Sequence, residues 1–216
     1  MTSGLYQFIL TLFVFAMSLQ LAFAQAPCGT QISDESAAFL QSNLSAVNKH
    51  IQERHLKSMP VIEFPVQIHI GQRSDGTGGV TAAQVDQMLI QLNSDFVDAG
   101  FEFSQCASIN YINSDTYYDY DQTEENAVTG IHNVDGSINI YFFNTVKTES
   151  SGSLVDVCGY AYIPNGFDHI MVRNSCGLSG NTLAHEVGHY FGLLHTHDTR
   201  YEEEAITRNA NDACYN

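Results

Sequence analysis

Thr182-Leu-Ala-His-Glu-Val-Gly-His-Tyr-Phe-Gly-Leu-Leu-His-Thr-His197 is the stretch on which the reading of this sequence turns. His185 and His189 are four residues apart, so a helix stacks them on one face within reach of a single metal ion. Glu186 follows the first histidine and is placed to meet a water on the metal, not the metal itself. Gly192 can adopt a left-handed conformation, stop the helix and turn the chain back. His195 then approaches the same ion from outside the helix. Three neutral imidazoles plus a water make an open zinc site, the arrangement of catalytic and not of structural zinc. Glu186 is the expected general base, taking a proton from a zinc-activated water and passing it to a leaving group. His197 is a rival ligand, but the Gly192–His195 spacing favours His195. Glu202, Glu203 and Glu204 would compete for the third position only in a site of a different plan, and that same spacing disfavours it.

Working outward, Asp168–Val172 and Gly159–Ile163 read as short strands, and Ser137–Phe143 alternates Ile138, Ile140 and Phe142 as a strand does. Asn113–Gly136 is polar, rich in Asp, Glu and Tyr, and reads as a long surface loop. Phe101–Tyr111 reads as one strand. Thr81 and Gln84 form a capping-box pattern ahead of a helix whose apolar stripe is Val85, Met88, Leu89, Leu92 and Phe96, with Gly100 ending it. Val61–Ile70 alternates as a strand. Ser33–Met59 has helical spacing of Leu40, Leu44, Val47 and Ile51 and stands where a propeptide or accessory helix would stand. This order predicts a mixed sheet carrying helices, and so an α+β or α/β domain.

The chain has 216 residues, with 24 acidic and 8 basic side chains and a formal charge of −16. A nucleic-acid partner or an anionic membrane surface would need a Lys/Arg patch, which this composition denies. An acidic chain suits calcium binding or plain solubility; Asp115–Glu125 and Asn209–Asp212 are calcium candidates without an EF-hand pattern. Residues 1–24 carry no charge, are largely apolar from Phe8 to Phe23 and end in Ala22-Phe23-Ala24, so we expect a signal peptide and export. No CxxC pair occurs among Cys28, Cys106, Cys158, Cys176 and Cys214, which argues against a cysteine-based zinc finger and, in an exported chain, for half-cystines.

The eleven-residue pattern His185-Glu-x-x-His-x-x-Gly-x-x-His195 resembles the signature of the metzincin clan of zinc peptidases. Cys158-Gly-Tyr-Ala-Tyr-Ile-Pro164, Thr182–Leu193, Gln91-Leu-Asn-Ser-Asp-Phe96 and Cys28-Gly-Thr30 are similar to the pappalysin-type branch, that of cytophagalysins and ulilysin-like enzymes. The resemblance implies a zincin-like α+β fold, a mixed twisted sheet with a backing helix and an active-site helix, and endopeptidase action on polypeptides. It implies His185, His189 and His195 as ligands of one catalytic Zn2+ and Glu186 as base. It also matches Gly159, Tyr160, Ala161 and Tyr162 to an edge strand that pairs with extended substrate; an ordinary edge strand is the plain alternative. Metzincins continue into a lower subdomain with a methionine-bearing turn. The methionines here are Met1, Met17, Met59, Met88 and Met171, so residues 61–216 are expected to hold the upper subdomain only. Residues 25–60 are then a propeptide-like segment, in which Cys28 is either a latency switch on the zinc or a half-cystine. The expectation is a secreted zinc endopeptidase with polypeptide substrates and unknown oligomeric state; the alternative is a non-catalytic zinc-binding protein that binds peptides or partners.

Overall fold

The computed structural model describes residues 27–54, 60–163 and 167–195. The expected signal peptide, His197, the Glu202–Glu204 run, the Asn209–Asp212 calcium candidate and Cys214 lie outside the described residues.

Helix α1 (Asp34–Arg54) precedes strand β1 (Ile62–Gln72). Helix α2 (Ala82–Phe96) begins at Thr81, whose hydroxyl accepts from the Gln84 amide while the Gln84 side chain accepts from the Thr81 amide. This reciprocal cap satisfies two otherwise free helix-end donors, as the sequence predicted. The helix passes through a 3₁₀ turn and ends at Gly100, in the left-handed region at φ 69°.

The expected single strand over 101–111 is two, β2 (Phe101–Gln105) and β3 (Asn110–Asn113). Both run parallel to the same side of β1, β2 along Ile62–Val66 and β3 along His69–Gln72, because β1 is long enough to carry them in succession. On its other side β1 pairs in parallel with β5 (Ile138–Phe143), and β5 with β9 (His169–Arg173). Strand β8 (Gly159–Ala161) closes the sheet antiparallel to β9, giving the order β2-β1-β5-β9-β8. The fold is α+β with a mixed sheet, as expected.

The period-two rule sorts the core into two faces. Val66, Ile68, Ile70, Ile138, Ile140, Phe142, Ile170 and Val172 face Val85, Met88, Leu89 and Leu92 of α2 and Leu183 and Val187 of the last helix, α6 (Thr182–Tyr190). Between β9 and α6 lies the short helix α5 (Asn174–Ser179). Tyr141, Phe143 and Met171 point the other way, onto Tyr120, Val128, Val146, Val157 and Tyr160.

That second face corrects the reading of 113–136 as a surface loop. The segment folds into α3 (Asp115–Tyr118), β4 (Asp119–Asp121), a 3₁₀ turn and α4 (Glu125–His132), and it buries Tyr118, Tyr120, Glu125 and Val128. Strand β4 pairs with β6 (Thr145–Ser150), which forms a hairpin with β7 (Ser153–Asp156). The carboxylates once eligible for calcium are engaged within the fold. Asp115 accepts from Ser74, Asp119 from Asn144, and Asp121 from Thr123. No carboxylate belongs to a metal-ligating group among the described residues, so the calcium candidate at Asp115–Glu125 has no support.

Candidate metal centre

Helix α6 ends in two bonds that its sequence calls for. Leu193 N–H reaches the Gly188 carbonyl at 2.9 Å and Gly192 N–H the His189 carbonyl at 2.8 Å, with Gly192 left-handed at φ 92°. This Schellman closure reverses the chain within one residue. It also delivers the Leu193 carbonyl to His189 Nδ1 at 2.7 Å. A carbonyl only accepts, so Nδ1 carries the proton and Nε2 presents a lone pair.

That lone pair points at the other two histidines. His189 Nε2 lies 3.0 Å from His185 Nε2 and 3.1 Å from His195 Nε2. Burial lowers His189 to about 4, and burial lowers His185 as well, so both rings are neutral near pH 7. Cys28 Sγ joins this group, and the four ligand atoms lie within 4.8 Å of one another. Converging imidazole nitrogens with one thiol suit a borderline-soft cation such as zinc, and the His189 tautomer leaves its Nε2 lone pair available to one. It is the only such group among the described residues.

Glu186 sits beside these donors, with no exposed surface. Its Oε2 accepts from the Thr30 hydroxyl at 3.0 Å and faces Cys28 Sγ at 3.7 Å; its Oε1 has no partner. Burial raises the carboxyl to about 7, against the hydrogen bonds of Thr30 and Cys28, which lower it. Burial, with the neighbouring Glu186, pushes the Cys28 thiol up to about 12.

Cys28 and Thr30 reach the site because residues 27–30 lie along the free edge of β8. Cys158 N–H donates to the Pro27 carbonyl (2.9 Å), Gly29 N–H to the Gly159 carbonyl (2.8 Å) and Ala161 N–H to Thr30 Oγ1 (2.9 Å), with Cys28 bridged in parallel to Gly159. Thus Gly159 and Ala161 present edge groups, whereas Tyr160 points into the core and Tyr162 is half-buried behind the strand. Cys158 is joined by a disulfide to Cys176 of α5, so the edge strand is stapled to the helix that leads into α6. Among the described residues Cys28 and Cys106 have no disulfide partner.

One buried polar network was not singled out from sequence. Glu125, buried on α4, accepts from Tyr160 (2.8 Å), Tyr162 (2.7 Å) and His169 (2.7 Å), and Tyr120 adds a bond to Tyr160 at 2.6 Å. Burial opposes the charged form, yet these bonds together hold Glu125 below the usual carboxylate range. A carboxylate whose folded value is depressed stabilises the fold above its unfolded value, and loses that contribution as pH falls through the folded one. We expect Glu125→Gln to lower stability by about 2 kcal/mol near pH 7. The difference in Tm from the parent should shrink below about pH 4.5; a difference independent of pH from 7 to 3 would refute a charged Glu125.

No family model matches the chain. In sequence it is similar to extracellular metalloproteases of three fungi. The identity is 26% over 186 residues with that of Uncinocarpus reesii, covering 76% of this chain and 64% of the relative. It is 24% over 157 residues with that of Pyricularia oryzae (65% and 52%) and 27% over 160 with that of Colletotrichum graminicola (65% and 54%). The chain spans between about half and two thirds of the length of these curated relatives. Among solved structures it is similar to a promirolysin variant of Tannerella forsythia, at 17% identity and TM-score 0.48, covering 79% of this chain and 70% of that one. It is also similar to metalloproteinase-II of Bacteroides fragilis, at 15% identity and TM-score 0.39, covering 74% and 47%. What the chain resembles in sequence is a set of extracellular metalloproteases.

Proposed function

We propose that this chain is the latent form of a secreted zinc endopeptidase of the metzincin clan, pappalysin-type. The observation that carries the proposal is the convergence of His185, His189 and His195 Nε2 with Cys28 Sγ, beside a buried Glu186. The similarity to extracellular metalloproteases supports both the protease class and export. Of the described helices none is long and apolar enough to cross a membrane.

The three histidines would hold zinc, with Cys28 as a fourth donor in the latent state. Bound zinc supplies Lewis acidity. Glu186 takes the proton of the attacking water and returns it to the amine that leaves, a role suited to a carboxyl raised by burial. The Gly159 carbonyl and Ala161 amide offer an extended polypeptide the backbone partners of an added strand. Residues 27–30 hold those same groups in the latent chain, while Cys28 and Thr30 cover Glu186. Removal of residues 25–60 would free both the edge and the base.

Metal removal tests this reading. The processed protein should contain one zinc and cleave an unstructured polypeptide such as casein. Chelation should abolish cleavage and lower Tm, and added zinc should restore both. A protein that binds zinc but cleaves no polypeptide after processing would leave the peptide-binding alternative in its place.

A further inference from the structure

Gly159 has an ordinary backbone conformation, so conformational freedom does not explain the glycine. Space does. A Cβ built at this position would stand 2.7 Å from the Met171 carbonyl oxygen, 3.0 Å from Glu186 Cγ and 3.2 Å from Glu186 Oε1. The first neighbour is backbone of the adjacent strand β9 and cannot swing aside. The other two belong to a fully buried side chain whose Oε2 is held on its opposite side by Thr30 and Cys28. The unpartnered oxygen of the carboxylate is the one that faces Gly159.

We propose that Gly159 is a positioning residue, the bare strand surface on which the Glu186 carboxylate is seated. The inference rests on Glu186 as the general base for its consequence in catalysis, though the seat itself does not depend on it. Strand β8 is doubly fixed for this purpose. It pairs with β9 through Gly159 opposite Val172, and the disulfide at Cys158 ties the preceding residue to α5, the helix immediately before α6, which carries Glu186. A side chain at 159 would have to move either the β9 backbone or the carboxylate. A shift of the carboxylate by a few tenths of an ångström or more misplaces the proton acceptor, and misplacement approaching 1 Å costs about 100-fold in rate.

The rival explanation is that the glycine serves only the Met171 carbonyl. A thermal double-mutant cycle separates the two and needs no activity. Gly159→Ala, Glu186→Ala and the double variant are melted beside the parent. In the seat reading, Gly159→Ala lowers Tm by about 5 °C more when Glu186 is present than when it is alanine, as overpacking against a buried side chain requires. Equal losses in the two backgrounds overturn the proposal and leave the strand contact alone. If Gly159→Ala by itself yields no folded protein, the double variant should recover a cooperative melt; failure of both overturns it too.

The catalytic consequence is read on the processed enzyme as a split of constants: kcat of Gly159→Ala falls about tenfold, a larger factor than any rise in KM, because the group shifted by a few tenths of an ångström acts in the transition state. If the parent cleaves no peptide, the functional reading fails and the thermal cycle still decides the seat. If the parent cleaves and the cycle is additive, the seat fails and the functional reading stands.

Discussion

Glu186→Ala is expected to reduce peptide cleavage by about 10³-fold or more, since a positioned general base contributes on the order of 10²–10⁴, while zinc stays bound at one per chain. The two halves of this result have separate causes. The proposed metal donors are His185, His189 and His195, and His189 is oriented by the Leu193 carbonyl, a bond that Glu186 does not touch. Glu186, the proposed base, is instead packed against Gly159 and bonded to Thr30, with Cys28 beside it. Glu186→Gln sharpens the test, since it keeps size and the Thr30 contact but removes the proton acceptor. It should be as inactive as the alanine variant, with a Tm no lower than the parent's, because burial already opposes the carboxylate charge that the amide removes. Zinc analysis and kinetics on the same preparations read both halves. Cleavage within tenfold of the parent in either variant would sink Glu186 as the base. Loss of zinc together with loss of activity would instead place Glu186 in the metal's own support.

The part of the site carried by a single helix was legible in the sequence because its geometry is local. His185 and His189 are one turn apart, Gly192 must be left-handed where the chain reverses, and the capping box at Thr81 and Gln84 uses only neighbours. The alternation of Val66, Ile68 and Ile70 and of Ile138, Ile140 and Phe142 needed no partner to be read either. The segment 113–136 was illegible for the opposite reason. Its elements are three to eight residues long, and none contributes more than two buried groups, which are Tyr118, Tyr120, Glu125 and Val128. Too few turns repeat to show a period, and the tyrosines and the glutamate are apolar or satisfied only through Tyr160, Tyr162 and His169, which come later in the chain. Cys28 stands between these extremes. Its chemistry was visible, but the Cys28–Glu186 contact spans 158 residues, and only the laying of residues 27–30 on β8 brings it about.

Unprocessed Cys28→Ser protein is expected to cleave polypeptide substrates without proteolytic removal of residues 25–60, at about tenfold or more above the unprocessed parent. The size follows from what remains. After the substitution, the Pro27 carbonyl, the Gly29 amide and the Thr30 hydroxyl still hold β8 and Glu186, at roughly 0.5–1.5 kcal/mol net for each neutral hydrogen bond. The thiol is the only donor in this segment that converges with the three histidines. Its loss would remove the tie to a bound zinc, and each 1.4 kcal/mol taken from the docked state raises the open population about tenfold. Adding Thr30→Val should open the segment further, because one hydroxyl both donates to Glu186 and accepts from Ala161. The checks are peptide hydrolysis before and after limited proteolysis and thiol titration of the parent. The titration should find Cys28 unreactive while residues 27–30 lie on β8, where burial and Glu186 hold the thiol protonated, and reactive once proteolysis releases them. Latency unchanged in Cys28→Ser, with processed enzyme fully active, would show that the β8 pairing of residues 27–30 suffices for inhibition and that Cys28 is no switch. Unprocessed parent already as active as processed enzyme would show that the segment leaves β8 in solution, and the latent reading would fall with it.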